Sequence, residues 1–231
     1  MVGIKQRTQQ ISGMILAIGN KKTVENQKQQ ARETASFDAY SILEYPLVAL
    51  VLIISCIPFY ILTNSGLDAL SSWFMPKSLA ELVAPFSIWR LWTPTFVHYT
   101  LPHIIPNLLL WWIFASKIEK QSRIELVILF VIIAACSNMV QWWFQGAKFG
   151  GLSGVIYGLM GYLWVLQHFA GKHNYRFDPI IAVLMLAAIP LAALGFLDQF
   201  ATYAHISGLL CGILLAISSI TLGFYKYQRS Q

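Results

Sequence analysis

The stretch GLSGVIYGLMG at residues 151–161 begins a long apolar run. Within it, Gly154 and Gly158 lie one helical turn apart, so a helix places them on the same face. A later apolar run carries small residues at the same spacing: Ala204, Gly208, Gly212 and Ala216. Small residues in this pattern allow two helices in a membrane to pack closely. We therefore expect the two runs to be neighbouring helices.

The composition of the chain points to a membrane. Of its 231 residues, 57% are hydrophobic and only 11% are charged, whereas a soluble domain usually has about 25% charged residues. So few charges cannot cover a water-soluble globule, and the lipid bilayer is the natural solvent. The net charge of +6 comes from residues that flank apolar runs. It therefore reports membrane topology, and no nucleic-acid binding is expected.

Six apolar runs come close to the roughly 20 residues that a helix needs to cross a bilayer. They are Tyr45–Thr63, Leu101–Ser116, Ile124–Phe144, Ser153–Phe169, Pro179–Leu197 and Ala204–Phe224. The pattern predicts an all-α polytopic membrane protein, a bundle of six transmembrane helices. Residues 64–100 contain charges and three prolines, so we expect an interfacial insertion there and not a lipid-facing helix.

The positive charges predict the orientation. Only Lys77, Arg90 and Lys148 fall on one side of the predicted helices, and all other lysines and arginines fall on the side of the N-terminus. Because positive residues collect on the cytoplasmic side, both termini are expected in the cytoplasm. The expected organisation is a cytoplasmic tail at residues 1–40, a six-helix domain at residues 41–225 and a second tail at residues 226–231.

Ser153 stands at the start of the fourth run, between Gly151 and Gly154. A serine at that position often caps its helix, and this interpretation stays open. The position also suits a nucleophile, because free backbone N–H groups and the positive end of the helix dipole would stabilise an oxyanion. The flanking glycines allow a tight turn and the close approach of another backbone.

His205 lies near the start of the sixth run and shares a helix face with Gly208 and Gly212. If the small residues of the fourth and sixth runs pack together, the outer ends of the two helices meet, and Ser153 meets His205. A serine nucleophile and its base need this arrangement. A histidine that only makes a hydrogen bond in the helix packing is the alternative.

His103 and Asn107 are one helical turn apart at the start of the second run, so their side chains face the same way. The predicted topology puts them at about the depth of Ser153, where two converging donors would stabilise an oxyanion. The alternative is a pair of hydrogen bonds between helices, which membrane bundles often contain. His98, just upstream, is a candidate for anchoring the loop.

A complete serine–histidine–aspartate triad is not expected. Neither the fourth nor the sixth run contains a carboxylate, and Asp198 falls in the loop before His205, so a hydrolase here would use a dyad. A haem or metal site built from His98, His103 and His205 is a rival interpretation, although no carboxylate or thiolate joins the three imidazoles. A transporter is a weaker rival, since no paired charges mark an ion pathway inside the runs.

Several short motifs follow one another within residues 45–224. They are Trp89-Arg90, His98, His103-x-x-x-Asn107, Gly151-x-Ser153-Gly154 with Tyr157 and Gly161, and Ala204-His205-x-x-Gly208. In their order and helix placement these motifs resemble the rhomboid intramembrane serine proteases, especially the bacterial GlpG type. Glycine-x-serine-glycine alone is a weak signal, whereas the joint pattern is highly specific.

The resemblance implies an endopeptidase of the bacterial inner membrane, in which Ser153 attacks the scissile carbonyl and His205 accepts its proton. It implies an oxyanion hole formed by His103, Asn107 and the backbone N–H of Ser153, with Tyr157 stacked on His205. Gly151, Gly154 and His98 are implied to support the site. The expected partners are the bilayer and single-pass transmembrane substrates, and no cofactor is expected. The chain is expected to be a monomer or a weak oligomer.

The same resemblance implies moving parts. The loop at residues 196–203 would act as a cap, and the fifth helix would tilt to admit substrate. One departure is Pro106, which is harmless if the second helix begins near it but distorts the oxyanion pair if the helix begins earlier. A relative that binds membrane clients without cutting them is a further alternative. Such relatives typically lack the serine or the histidine, and this chain has both.

Overall fold

A computed structural model describes residues 44–171, 173–194 and 201–222. The tails predicted at residues 1–40 and 226–231 lie outside the described residues, as do Asp198 and most of the predicted cap at residues 196–203. All regular secondary structure in the described ranges is helical. The all-α part of the predicted fold is therefore confirmed.

Seven α-helices follow one another in these ranges. They are α1 Pro46–Ser65, α2 Leu79–Val83, α3 Leu101–Glu119, α4 Arg123–Gln145, α5 Ser153–Phe169, α6 Pro179–Ala193 and α7 Thr202–Thr221. The long helices α1 and α3 to α7 correspond to the six apolar runs, and α2 is a short helix in the predicted insertion. This correspondence positions every motif singled out above.

Several predicted helix ends were wrong by a few residues. α3 continues past Ser116 to Glu119, because hydropathy locates the apolar part of a helix, whereas charged side chains are readily accommodated in its last turn. α6 ends at Ala193 with Leu194 as its C-cap, and the predicted end at Leu197 lies outside the described residues. Pro190 lies in its last turn and removes one backbone donor from the helical ladder.

Prolines and glycines set several helix boundaries. Pro46, Pro102 and Pro179 lie in the first turns of α1, α3 and α6, where a missing N–H breaks no intrahelical hydrogen bond. α1 and α4 are followed by Gly66 and Gly146, which have φ angles of 79° and 82°. Glycine adopts this left-handed region without steric cost, so the chain can turn away from the helix axis.

α5 is the central helix of the bundle. Twelve of its 17 residues are buried, which requires neighbouring helices around much of its circumference. Gly208 and Gly212 of α7 lie against the backbone carbonyls of Gly154 and Gly158, and a Cβ atom added to either α7 glycine would overlap the facing carbonyl. The predicted packing between the two stripes of small residues is thus confirmed.

The segment between α1 and α3 consists of short turns and is not one helix, as predicted. Three 3-10 helices accompany α2: Leu67–Leu70, Ile88–Leu91 and Thr93–Phe96. The Arg90 guanidinium holds part of this segment together, because it donates hydrogen bonds to three backbone carbonyls. These belong to Ser71, Phe74 and Met75, at 3.1, 2.6 and 3.2 Å.

At the opposite end of the bundle, Glu119 joins α1 to α3. Its carboxylate is buried and accepts hydrogen bonds from the backbone N–H groups of Leu47 and Val48, at 3.0 and 2.9 Å. An anion at a helix N-terminus is stabilised by the helix dipole and by the unpaired first-turn donors. The Arg123 guanidinium, with Nε 3.6 Å from Glu119 Oε1, adds an opposite charge.

Within the described residues, three helices are long and apolar enough to cross a membrane by length and composition, namely α1, α4 and α7. A shorter apolar helix covers Pro179–Ala192 by the same measure. These helices agree with an integral membrane protein, and the full count of six spans stays a prediction.

The contact between α5 and α7 predicts a strong effect of one added methyl group. Gly208→Ala is expected to force the two backbones apart and to lower the thermal unfolding midpoint in detergent, at a cost of about 1–3 kcal/mol, as overpacking usually does. Leu210→Ala is the control, because Leu210 is exposed on the same helix, and its midpoint should stay near that of the wild type. An unchanged midpoint for Gly208→Ala would contradict the packing.

Candidate active site

Ser153 is the first residue of α5, and Leu152 occupies the N-cap position before it. The Ser153 Oγ lies 2.5 Å from Nε2 of His205 on α7. The serine is therefore not the N-cap residue of its own helix, and its hydroxyl is paired with an imidazole on a neighbouring helix. The structure brings together the two residues that the packing of the small-residue stripes predicts.

His205 is positioned by a backbone contact at the start of α7 and by a ring contact to its imidazole. It is buried, with 2% of its surface exposed, and the backbone N–H of the preceding Ala204 donates to Oε1 of Gln141 on α4 at 2.9 Å. This bond satisfies a first-turn donor that a helix leaves unpaired. The Tyr157 ring stacks on the imidazole with centroids 4.5 Å apart and planes 21° apart. The predicted stack is thus present.

His103 of α3 reaches the turn before Ser153. Gly151 in this turn has a φ angle of +124°, which strains any side chain. A Cβ atom on Gly151 would lie 2.6 Å from Nε2 of His103 and 3.7 Å from Oγ of Ser153. The absence of a side chain at Gly151 therefore leaves room for the His103 imidazole beside the serine.

Asn107 lines the same cavity as His103, but one of its amide hydrogens is used inside α3. Its Nδ2 donates to the backbone carbonyl of His103 at 2.7 Å, which leaves the second amide hydrogen for another acceptor. α3 begins at Leu101, well before Pro106, so the harmless first-turn placement of this proline does not apply. Pro106 removes the i+4 donor for the carbonyl of Pro102, and the helix nevertheless continues through it.

His98 ties the outer loop to the turn before Ser153. Its Nδ1 lies 3.1 Å from the Phe96 carbonyl, and the Leu152 backbone N–H donates to its Nε2 at 3.4 Å. Since a backbone N–H can only donate, Nε2 must be the acceptor and Nδ1 must carry the proton. Burial, followed by the proximity of His103, lowers the pKa of His98 to about 3, which keeps the ring neutral. His98 thus makes the loop-anchoring contacts for which it was a candidate.

Polar residues of α4 that were not among the predicted site residues support the site. Gln141 holds the start of α7, as described above. Asn138 donates from Nδ2 to the Leu91 carbonyl at 2.7 Å and to Thr95 Oγ1 at 2.9 Å, which anchors the outer segment. A usable signal was present, because Ser137, Asn138 and Gln141 lie close together in an otherwise apolar run and polar residues inside membrane helices mark functional positions.

A cavity of about 800 Å³ opens beside Ser153 and His205. Its walls come mainly from α3, α5 and α6, with Ala201 and His205 at the start of α7 completing them, and its lining is mostly apolar. α6 contributes four apolar residues: Ile181, Leu184, Met185 and Ala188. The volume lies within the usual range for binding pockets of about 300–1,000 Å³. The cavity can therefore hold an apolar segment directly beside the serine hydroxyl.

A metal centre finds no support in the described ranges. No group of three or more His, Cys, Asp or Glu side chains there is placed to hold a metal ion. The rings of His98 and His103 have centroids 5.0 Å apart, but both nitrogens of His98 already contact backbone groups. His98, His103 and His205 are instead arranged around Ser153 and the turn before it.

Comparison with known proteins identifies the family. The model of the rhomboid domain matches residues 85–221, which is more than half of the chain. The chain belongs to the rhomboid family. It is 37% identical over 177 residues to the rhomboid protease GlpG of Yersinia pseudotuberculosis. The aligned stretch covers 74% of this chain and 62% of that protein. The rhomboid protease GlpG of Yersinia enterocolitica is 36% identical with the same coverage. This rhomboid thus spans less than two thirds of the length of these curated relatives.

The neutral state of His98 predicts a pH dependence of stability. Its pKa in the fold lies below the ordinary value of 6.5, so the unfolded chain binds this proton more readily. The contribution of the neutral His98 to the free energy of unfolding is fully present above about pH 6.5. It is lost as the pH falls toward 3, with a slope of at most about 1.4 kcal/mol per pH unit. His98→Gln should flatten this part of the curve of unfolding midpoint against pH.

The exposed His168 supplies the control for this measurement. His168→Gln should retain the slope of the wild type, because this change leaves His98 and its contacts with Phe96 and Leu152 in place. If His98→Gln and the wild type lose stability with the same slope below pH 6.5, the neutral buried state of His98 is wrong.

Proposed function

We propose that this rhomboid is an intramembrane serine endopeptidase that hydrolyses peptide bonds in or near the transmembrane segments of single-pass membrane proteins. The observation that carries the proposal is the 2.5 Å contact between Ser153 Oγ and His205 Nε2 beside a cavity walled by three helices. The relatives described as rhomboid proteases support the same class of reaction.

In the proposed reaction Ser153 is the nucleophile and His205 is the general base. His205 Nε2 takes the hydroxyl proton while Oγ attacks the carbonyl carbon of the substrate. The imidazolium then gives that proton to the leaving amine, and an ester remains on Ser153. Water, activated by the same imidazole, hydrolyses the ester. The Tyr157 ring holds the imidazole in the orientation that points Nε2 at the serine.

The negative charge that develops on the substrate oxygen needs donors close to Ser153. We assign this role to the His103 side chain, the second amide hydrogen of Asn107 and the backbone N–H of Ser153. The assignment is supported by the position of His103 Nε2 beside the Gly151 turn and by the cavity that His103, Asn107 and Ser153 line together. The N-terminus of α5 adds the positive end of the helix dipole, which is worth more in a dry site than in water.

The substrate is proposed to enter from the lipid between α3 and α6, with α6 tilting outward to widen the gap. A helical peptide shields its carbonyls in hydrogen bonds, so residues that weaken helices, such as glycine and proline, should favour cleavage. The enzyme is proposed to lie in the inner membrane of a bacterium as a six-helix domain over residues 41–225. The side bias of lysine and arginine supports cytoplasmic termini. It needs no cofactor and acts as a monomer or a weak oligomer.

Labelling and cleavage together test the dyad. In liposomes the wild type should react with a fluorophosphonate at Ser153 and cut a reporter transmembrane substrate. Ser153→Ala should abolish labelling, and both Ser153→Ala and His205→Ala should reduce cleavage by about 10³-fold or more, because neither half of the pair works alone. Rates of labelling and cleavage are measured on gel for proteins with matched unfolding midpoints.

Ser207→Ala is the matched control, since Ser207 lies on α7 close to His205 but donates to the Tyr203 carbonyl of its own helix. This variant should label and cleave like the wild type. If the folded, reconstituted wild type neither labels nor cleaves, the protease proposal fails, and the binding of membrane clients without cleavage becomes the leading function.

A further inference from the structure

We propose that the Tyr157 hydroxyl is a latch that holds α6 closed beside the cavity and links the position of α6 to the orientation of His205. The proposal rests on the proposed function, because it assigns a gate to the same site. Tyr157 would thus be a positioning residue whose two contacts serve two different helices.

The two contacts of Tyr157 are both direct. Its hydroxyl donates to the backbone carbonyl of Met185 on α6 at 2.5 Å, and its ring face stacks on His205 of α7. Tyr157 and Met185 are 4% and 7% exposed, so water does not readily replace the bond when it breaks. A buried donor without a partner is costly, which makes separation of the two groups unfavourable.

In the described residues, α6 packs against the core through a small set of apolar side chains, which include Ile181 and Ile189. The cavity lies between it and α3, and its backbone approaches α7 more than it approaches α5. Ala182 and Met185 are its buried apolar residues in the described part of the helix, whereas Val183, Leu184 and Leu191 are exposed. Since packing between membrane helices depends on close contact, one hydrogen bond is a substantial part of what holds α6.

The shape of the tyrosine side chain makes the linkage mechanical. The hydroxyl lies at the far end of a rigid ring, and the face of that ring supports the imidazole. If α6 moves outward, either the bond to the Met185 carbonyl breaks or the ring is drawn away from His205. If α6 returns, the bond re-forms and the ring is again held against the base. Opening for entry and orientation for chemistry are thereby coupled.

Tyr157→Phe separates the latch from the stack, because it keeps the ring and removes only the hydroxyl. Tyr162→Phe is the matched control on the same helix. Tyr162 is also buried, but its hydroxyl donates to Glu125 Oε1 at 2.8 Å, away from α6. An effect of simply removing a buried phenolic hydroxyl from α5 would appear in both variants.

The opening of α6 is measured without catalysis. Spin labels are placed at Ile105→Cys on α3 and Leu191→Cys on α6, which are exposed and do not line the cavity. The three native cysteines are replaced by alanine, and the full chain is studied in liposomes. We expect Tyr157→Phe to increase the population with wide label separation about 2- to 10-fold, as loss of one net hydrogen bond would. Tyr162→Phe should leave it unchanged.

A rescue variant completes the distance measurement. 4-Aminophenylalanine at position 157 places an N–H donor at the ring end, and it should restore the narrow population. This variant can also be measured if Tyr157→Phe folds poorly, because it retains both the ring stack on His205 and a donor to the Met185 carbonyl. The latch is overturned if Tyr157→Phe has the same wide-separation population as the spin-labelled protein with Tyr157, or if Tyr162→Phe increases that population equally. It is also overturned if the rescue variant does not restore the narrow population.

Kinetics give a second readout and distinguish the two proposals. For a transmembrane substrate in liposomes, Tyr157→Phe should lower KM by the same factor as it raises the open population, because the binding-competent state is more populated, while kcat should not rise. Equal KM values in Tyr157→Phe and Tyr162→Phe would overturn the latch. Absence of fluorophosphonate labelling in the wild type would refute the serine dyad, and the spin-label distances would still decide the latch.

Discussion

The contact between the backbones of α5 and α7 is the constraint on which the rest of the structure depends. In a bilayer, lipid tails are as apolar as leucine, so helices associate through close packing and hydrogen bonds and not through the hydrophobic effect. Gly154 and Gly158 meet Gly208 and Gly212 with no space for a side chain between them. This contact sets the distance between the starts of the two helices and hence the distance between Ser153 and His205.

Polar side chains complete the frame at both ends of the bundle. Glu119 receives the first backbone donors of α1, Arg90 collects carbonyls of the outer segment, and Gln141 accepts from the first turn of α7. Away from water an unpaired backbone group costs several kcal/mol. Each of these side chains therefore joins two segments, because it pairs backbone groups that would otherwise lack a hydrogen-bond partner. The result is a well-connected core of α3, α4, α5 and α7.

α6 differs from this core in a way that suits a moving part. It is short and apolar, it borders the cavity, and its hydrogen bond from Tyr157 comes from the same side chain that supports His205. A rigid frame keeps the reacting atoms in place, and a weakly attached helix can change its position at small energetic cost. In the proposed mechanism, precision at the serine and access from the lipid are therefore assigned to different helices.

The membrane environment, the all-α class, the approximate helices and the expected pairing of Ser153 with His205 could all be predicted from the sequence alone. These follow from apolar run length, from the i, i+4 spacing of small residues and from the cost of polar groups in lipid, all of which are properties of single segments. Three contacts became visible in the folded chain alone: Asn107 bonds within its own helix, Gln141 caps α7, and Tyr157 reaches the carbonyl of Met185. These bonds depend on the rotation and depth of each helix, and both are set by packing against all of its neighbours, which no single segment encodes.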